Sequence, residues 1–308
     1  MSILLLAAAA ATQPNWQLAN WQLVWADEFD GAALDRKRWV LAEDCWGGGN
    51  EERQCYTARD ANHEVKDGVL HIIARMENHT GPAFTLDQRD SAEKSAARRT
   101  KPFTSARLST AGKAAWLYGK VQVRAKLPQG QGTWPAIWML PEDWSYGKWA
   151  LSGEIDIMEA VNLGEPCDPC ASGREDRVLG TIHFGGKPPR NRYITAETSL
   201  PNAADQFHTY EVEWDAGGMI WRIDGKDYAR RAPHEWHTLA SDKPGAPFDK
   251  PFHLILNLAI GGHLSETRNA KGVDPAGYPK RMEIDFIRVW QKPVNADTAV
   301  GGTTSEGN

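Results

Sequence analysis

Hydrophobic and polar residues alternate with a period of two along much of the chain. In KVQVRAKL (120–127) the apolar positions starting at Val121 alternate with charged and amide side chains. This spacing places apolar side chains on one face of a β-strand and polar side chains on the other. Alternation or continuous apolar runs predict strands at 69–75, 120–127, 252–262 and 282–290, and a hairpin over 210–225 that turns at Gly217–Gly218.

These short strands predict an all-β protein. No segment of sufficient length shows helical spacing with capping residues, and many strands separated by turn signals are typical of an antiparallel β-sandwich or barrel. The segment 252–262 is nearly all apolar, so we expect it in the centre of a sheet. Since sandwiches of roughly 200–250 residues often form one domain, we predict one domain over 15–292. The small, polar residues 293–308 are expected to form a flexible tail.

The composition is that of a globular, mildly acidic protein. Of the 308 residues, 41% are hydrophobic and 24% are charged, and the formal net charge is −5. This charge argues against nucleic acid and anionic membrane surfaces as partners. The interrupted basic stretch 89–101 is interpreted as a solvated loop.

The first residues form an apolar run followed by small side chains, MSILLLAAAAATQP. The run is too short to span a bilayer and favours an export signal over residues 1–12. No Lys or Arg precedes Ile3, and an ordinary apolar N-terminal segment is the alternative.

Four cysteines fit an exported protein with two disulfides, and three pairings are possible. We favour Cys45–Cys55 and Cys167–Cys170, because each pair lies inside one apparent loop. The CDPC stretch (167–170) also fits half a zinc site or a redox pair. No second C-x-x-C or nearby His pair supports zinc, and no βαβ pattern supports a redox fold.

Three acidic residues lie close together in GEIDIMEA (153–160). Glu154 and Asp156 share a strand face, whereas Glu159 lies an odd five residues from Glu154 and would face the other way. A β-bulge at Met158, or at Ile157 with it, would return Glu159 to the same face. Three carboxylates on one face raise one another's pKa, so one holds a proton near neutral pH, as glycoside hydrolysis requires. The alternative is a solvent-exposed acidic strand edge.

Tryptophan is in excess, with 14 in the chain. In TWPAIWML (133–140), Trp134 and Trp138 share one strand face. The C–H face of a pyranose packs flat on an aromatic ring, so this pair is a candidate floor for a sugar. Core packing is the alternative.

Together these residues resemble glycoside hydrolase family 16, in its bacterial laminarinase-like branch. The family signature, E-x-D-x-(x)-E on a central strand, is matched in its longer, bulged form by GEIDIME (153–159). Further segments match in the family's order: WADEF (25–29), GNEERQCYT (49–57), VKDGVLHIIAR (65–75), TSARLST (104–110), YGKVQVRAKLPQGQGTWPAIWML (118–140), GTIHFGG (180–186), PFDKPFHLILNLAIGG (247–262) and MEIDFIRVWQ (282–291).

The resemblance implies a concanavalin-like jelly-roll sandwich with an open cleft on its concave sheet. It implies that Glu154 is the nucleophile, that Glu159 is the general acid/base and that Asp156 orients and tunes the nucleophile. Substrate contacts are implied at six positions: Trp134, Trp138, Asn50, Arg107, Trp149 and His183. Catalysis needs no cofactor, and a structural Ca²⁺ on the convex side would be held at Glu28, Gly68 and Asp285.

The chain departs from many relatives at the rim of the cleft. The first loop reads Asn50-Glu51-Glu52, Ala106 stands before Arg107, and Cys55 replaces a common aromatic residue. The segment 263–279, HLSETRNAKGVDPAGYP, replaces a short Trp-Pro-Gly loop. These differences leave linkage preference and the number of subsites open.

We therefore expect a secreted or periplasmic, monomeric, retaining endo-β-1,3-glucanase acting on laminarin-like and also on mixed β-1,3-1,4-glucans. A transglycosylase, or a hydrolase of agarose or carrageenan, would use the same site. A non-catalytic glucan-binding module is the rival from another class, although such relatives would be expected to lose the acids.

Overall fold

Two packed β-sheets form the protein. The structure is a computed structural model and describes residues 17–18 and 20–293. The predicted export signal at 1–12 lies outside the described residues, as does the predicted tail apart from Pro293. Within the described part of the chain, no helix is long and apolar enough to cross a membrane.

The first sheet has seven strands, numbered here in chain order and given in spatial order: β13 (Asn191–Ser199), β12 (Arg177–Gly185), β11 (Glu154–Glu159), β10 (Thr133–Pro141), β17 (Phe252–Ile260), β8 (Arg107–Ser109) and β3 (Val40–Leu41). All neighbouring pairs in it are antiparallel. β11, which carries the acidic motif, is the third strand from one edge.

The second sheet has eleven strands. Its main path, in spatial order, is β16 (Lys226–Arg231), β15 (Gly218–Ile223), β14 (His208–Asp215), β9 (Gly119–Lys126), β18 (Lys280–Gln291), β6 (Val69–Pro82), β7 (Arg98–Ser105) and β4 (Gln54–Tyr56). Three more strands pair beside this path: β1 (Gln17–Leu18), β2 (Trp21–Asp27) and β5 (His63–Lys66). The helical segments are α1 (Ala92–Ala96), α2 (His263–Glu266) and two 3₁₀ turns at Leu86–Gln88 and Pro233–Glu235.

The predicted all-β sandwich and its principal strands are confirmed. The hairpin is β14–β15, and its turn residues are Ala216 and Gly217, one position earlier than expected, because Asp215 pairs with Gly218. β17 is flanked by β10 and β8 and is buried at every position, as its continuous apolar run predicts.

The basic stretch 89–101 was expected to be a loop, and this is wrong. It contains α1 and the start of β7. The Ser91 side chain accepts a hydrogen bond from the backbone N–H of Lys94 and caps the helix, and Thr100 lies opposite Thr80 in the β6–β7 ladder. Capping and strand pairing therefore order a segment whose composition is typical of a loop.

The apolar inner faces of the two sheets pack on each other and form the core. β9 contributes Val121 and Val123, and β10 contributes Ile137 and Met139, all fully buried. Burying a side chain of this size stabilises the fold by about 1.5–3 kcal/mol. The other face of the seven-stranded sheet, called the outer face below, carries partly exposed side chains such as Trp134 and Trp138.

A β-bulge interrupts β11. On the β12 side, Asp156 pairs with Thr181 and Glu159 with Leu179, so Ile157 and Met158 together oppose the single residue Gly180. A bulge at these two residues was predicted from the sequence, and it is confirmed.

The second sheet supports this bulge from below. The indole N–H of Trp221 on β15 donates a 2.9 Å hydrogen bond to the backbone carbonyl of Asp156. A Cβ on Gly180 would lie 2.5 Å from the Tyr228 hydroxyl oxygen and 2.6 Å from Cδ1 of Trp221. Only glycine leaves room for these two rings under the bulge.

The substitution Gly180→Ala tests this packing. We expect it to lower the free energy of unfolding by about 1–3 kcal/mol, because the added methyl group has no space. The unfolding temperature should fall by roughly 2–4 °C per kcal/mol. The double variant Gly180→Ala/Tyr228→Phe removes the nearest clashing atom and should recover part of the loss. Unchanged unfolding of Gly180→Ala would contradict the close packing.

Candidate active site

The three acids of β11 lie on the outer face of the seven-stranded sheet. Glu154 pairs with His183 and Asp156 with Thr181, and the bulge brings Glu159 to the same face, opposite Leu179. Ile155 and Ile157 point inward and are buried in the core. The strand therefore fixes three carboxyl groups in one row, which is called the acid row below.

An indole N–H holds each end of the acid row. Trp149 Nε1 donates to Glu154 Oε2 at 2.7 Å, and Trp134 Nε1 donates to Glu159 Oε1 at 3.0 Å. Trp134 lies on β10, whereas Trp149 lies in the loop before β11. Each donor leaves one carboxylate oxygen free of that indole bond, so a substrate atom can still approach each acid.

His183 completes the centre of the site. Its Nε2 lies 3.3 Å from Asp156 Oδ2 and 3.7 Å from Glu154 Oε1. Its ring packs against Trp149 with 5.6 Å between ring centroids. No local sequence pattern places His183 beside the acids, whereas its cross-strand pairing with Glu154 does so in the structure.

Burial dominates the electrostatics of the acid row. It raises the pKa of Glu154 to about 8, with a further contribution from the neighbouring charge of Asp156. Burial, together with the charge of Glu159, raises the pKa of Asp156 well above its ordinary range. Burial also raises the pKa of Glu159, against the lowering effects of the Trp134 hydrogen bond and of the positive charges of His183 and Arg268.

These shifts indicate where protons are held. Asp156 is only 3% exposed, and its Oδ2 makes no hydrogen bond with any described residue, so its neutral form is favoured. A proton on Asp156 removes the second-largest cause that raises the pKa of Glu154. The ionised form of Glu154, which also accepts the Trp149 hydrogen bond, is then less disfavoured.

Trp134 and Trp138 form an aromatic floor beside the acid row. Both are partly exposed on the outer face of β10. Trp138 Nε1 donates to Asn257 Oδ1 at 2.7 Å, and the guanidinium of Arg107 lies 4.8 Å from the Trp138 ring centroid. Asn257 was missed from the sequence, although a single amide inside the apolar run FHLILNLAI is a signal that could have identified it.

Asn50 lies in the loop before β4, close to this floor. Its carbonyl accepts the N–H of His263, and its side chain donates to Glu52 Oε1 at 3.3 Å. Gly262 lies between the Asn50 loop and the aromatic floor. A Cβ on Gly262 would lie 3.1 Å from Asn50 O and 3.2 Å from Trp134 Cζ3. Glu52 is a second residue missed from the sequence. It is buried, and its Oε2 also accepts a 2.7 Å hydrogen bond from Gln54 Nε2.

The segment 263–279 lies at the Glu159 end of the acid row. The amides of Gln131 and Asn162 donate to its backbone carbonyls, and Glu266 pairs with Arg53 at 2.6 Å. Arg268 of this segment pairs with Glu197 on β13 at 3.1 Å. Arg268 was not predicted from the sequence, because its position near Glu159 depends on the contacts that hold a loop far along the chain.

The structure also joins both cysteine pairs favoured from the sequence. Cys45 is bonded to Cys55, ten residues away, at the base of the loop that carries Asn50. Cys167 is bonded to Cys170. The thiols are therefore not available to a zinc ion.

Comparison with known proteins identifies the family. The model of the glycosyl hydrolases family 16 matches residues 61–288. The chain belongs to glycoside hydrolase family 16. The Glu154–Asp156–Glu159 row lies within the residues that match this family.

Relatives within this family carry glucanase names. A glucan endo-1,3-β-glucosidase A1 of Niallia circulans is 38% identical over 89% of this chain, which spans 38% of that relative's length. The laminarinase structure from Rhodothermus marinus is 37% identical and has a TM-score of 0.70, covering 88% of this chain and 97% of that one. A structure described for endo-acting O-glycanases of the human gut microbiota that initiate mucin breakdown is 28% identical, with a TM-score of 0.77 over 94% and 97% of the two chains.

The residues expected to hold calcium make ion pairs in this family 16 structure. Both oxygens of Glu28 accept bonds from Arg288 at 2.8 Å, and Asp285 pairs with Arg124. Ca²⁺ is held by oxygen ligands whose negative charge compensates the ion, and here arginines already neutralise both carboxylates. While these ion pairs are formed, the oxygen atoms at Glu28, Gly68 and Asp285 do not fit a Ca²⁺ site.

A second group of ligand atoms lies inside the active site. The carboxylates of Glu154 and Asp156 and one nitrogen of His183 lie within 4.8 Å of one another. A divalent cation bound there would use the lone pairs on the carboxylate oxygens of Glu154. A nucleophilic carboxylate needs the same lone pairs. The indole bond from Trp149 already orients this carboxylate without a metal.

The raised pKa of Glu154 predicts a pH-dependent stability. The pKa is about 8 in the folded protein against an ordinary 4.5, so the folded state binds this proton more tightly. The resulting stability is complete below the ordinary value and is lost as the pH rises through the folded value. The difference in unfolding temperature between Glu154→Gln and the parent should therefore be more favourable to the variant at about pH 9 than at about pH 5, by roughly 8–16 °C.

Thermal unfolding of both proteins at the two pH values measures this difference. Glu51→Gln, which removes an exposed carboxyl group in the rim loop, is the control. An equal difference between Glu154→Gln and the parent at both pH values would contradict the raised pKa.

The two floor tryptophans form a matched pair for testing the acid/base. Trp134→Phe removes the N–H donor to Glu159 and should raise the pKa of that acid. If Glu159 must hold a proton, the alkaline limb of the kcat/KM profile moves to higher pH. Trp138→Phe removes a donor to Asn257 instead and should leave the limb in place. Equal profiles for the two variants would rule out the role of the Trp134 bond.

Proposed function

We propose that this protein is an exported, monomeric, retaining endo-β-1,3-glucanase that acts on laminarin-like and mixed-linkage β-glucans. The observation that carries the proposal is the acid row, where the bulge aligns Glu154, Asp156 and Glu159 and an indole donor orients each end. The glucanase names of the relatives support the choice of β-1,3-glucan.

In the first step, ionised Glu154 attacks the anomeric carbon and forms a covalent glycosyl–enzyme bond. Protonated Glu159 donates its proton to the glycosidic oxygen as the bond to the departing sugar breaks. Burial raises the pKa of Glu159 and so favours the protonated form that this step needs.

In the second step, Glu159 is the base. It takes a proton from a water molecule, whose oxygen attacks the anomeric carbon and displaces Glu154. Two inversions at one carbon give a product with retained configuration. The atoms balance without any cofactor, because the water supplies both the hydroxyl group and the returned proton.

Asp156 and His183 tune the nucleophile between these steps. A neutral Asp156 beside Glu154 adds no repulsion to its negative charge, and His183 Nε2 lies 3.7 Å from Glu154 Oε1. Both effects favour the ionised carboxylate that attacks. Removing either residue should impair the first step more than it impairs substrate binding.

The remaining predicted contacts support a sugar-binding role beside the acid row. Trp134 and Trp138 offer ring faces for pyranose stacking, and Arg107 and Asn50 offer donors at the rim. Export is supported by the two disulfides, which persist in oxidising compartments, and by the apolar leader of the sequence.

A second candidate is hydrolysis of a different polysaccharide by the same acids. It is favoured by the TM-score of 0.77 to the O-glycanase structure, against 0.70 to the Rhodothermus marinus laminarinase. The segment 263–279 at the site, which differs from the short loop expected in laminarinases, is where such a change in specificity would be built.

The proposal predicts that Glu154→Gln and Glu159→Gln lose hydrolysis. Reducing-sugar release from laminarin should fall at least about 100-fold in each, because each loses a group that acts in the bond-breaking step. Unfolding temperatures of the variants control for folding, and proton NMR of the first product reports its configuration.

A panel of polymers separates the alternatives. A folded parent that is inert on laminarin but cleaves mixed-linkage glucan, agarose, carrageenan or mucin O-glycans would move the substrate to the second candidate. Products longer than the substrate would indicate a transglycosylase. Binding to laminarin without cleavage of any polymer would favour a glucan-binding module.

A further inference from the structure

Tyr193 is an exposed aromatic residue on the outermost strand of the sheet that carries the site. It lies on β13, and 66% of its surface is exposed. Its hydroxyl group makes no hydrogen bond with any residue that the structure describes. Neither core packing nor a polar contact accounts for a ring in this position.

The strand register places Tyr193 on the outer face with the acids. Glu154 pairs with His183, and His183 pairs with Tyr193, so the three side chains form one cross-strand line. Side chains that pair across antiparallel strands point to the same face. The Tyr193 and His183 ring centroids are 5.7 Å apart.

Aromatic rings consequently flank the acid row on both sides. Trp134 and Trp138 lie on β10, on one side of β11, and Tyr193 lies on β13, on the other side. Two strand spacings separate Tyr193 from Glu154, or about 10 Å between backbones. Since His183 occupies the strand between them, Tyr193 lies beyond the sugar units that contact the acids.

A role for Tyr193 in association between chains is disfavoured by its surroundings. β13 is an edge strand, and its hairpin with β12 carries the exposed cations Lys187, Arg190 and Arg192. Charged side chains on an edge oppose strand-to-strand association. A polysaccharide chain crossing the outer face has no such barrier, because neutral sugars carry no charge.

We propose that Tyr193 forms a distal glucosyl-binding subsite, in which its ring stacks on a sugar of the glucan on the side of the acid row away from Trp134 and Trp138. This inference rests on the proposed function, since it assumes a β-glucan crossing the same row of acids. It adds that the bound chain extends on both sides of the scissile bond as far as the edge of the sheet.

Such a subsite affects long substrates and spares short ones. Binding energy from a remote sugar helps to hold the reacting unit at the acids, so it contributes to kcat/KM only when the substrate reaches the subsite. An aromatic stacking contact contributes about 0.5–1.5 kcal/mol, which corresponds to a factor of up to about ten.

The experiment measures kcat/KM on laminarin oligosaccharides from the trimer to the hexamer. For Tyr193→Ala we expect a loss of about tenfold on the hexamer and less than about twofold on the trimer. Tyr193→Phe retains the ring and should match the parent at every length. Val24→Ala, which truncates a side chain 41% exposed on β2 of the other sheet, is the control for an exposed apolar truncation.

The outcomes distinguish this inference from the proposed function. Loss on the hexamer alone supports the subsite, and a shift in the size of the main products from laminarin supports it further. Equal loss on all lengths, or no loss at any length, overturns the subsite while an active parent leaves the glucanase proposal intact. If the parent cleaves no β-1,3-glucan, both the Tyr193 subsite and the glucanase proposal are overturned.

Discussion

The active site depends on a single backbone irregularity, the bulge in which Ile157 and Met158 together oppose Gly180. A regular strand would send Glu159 into the core and leave Glu154 and Asp156 as two like charges without a third group. The extra residue reverses the direction of every side chain after it. The arrangement of the acids is therefore set by a backbone feature whose support, Trp221 and Gly180, lies on the core side of the sheet.

The crowding of three carboxyl groups has an energetic meaning as well as a chemical one. Each acid is desolvated by the sheet around it, and burial is the largest cause of the raised pKa in all three. Such an arrangement loses stability as these groups ionise, and the same desolvation favours the protonated form of Glu159, the proposed general acid. Indole donors, which carry no charge and do not titrate, orient the two outer acids without neutralising them.

Much of this arrangement was predictable from the sequence, and the remainder has identifiable causes. Period-two alternation located the principal strands, and the odd spacing between Glu154 and Glu159 indicated a bulge, with an exposed acidic strand edge as the alternative. The pairing of β13 with β12, which places Tyr193 in line with Glu154, depends on the register between strands and leaves no local pattern. Arg268 approaches the site through contacts of its loop with Gln131 and Asn162, which are distant in sequence.

Asn50 and three of the four disulfide cysteines lie in loops, whereas the acids, the floor tryptophans and His183 lie on strands of one sheet. The proposed reaction and the proposed polymer contacts are thus built largely from different parts of the chain. A replacement in the loops changes the surface offered to a polymer, while hydrogen bonding within the sheet holds the acid row in place. Specificity and chemistry can therefore change separately.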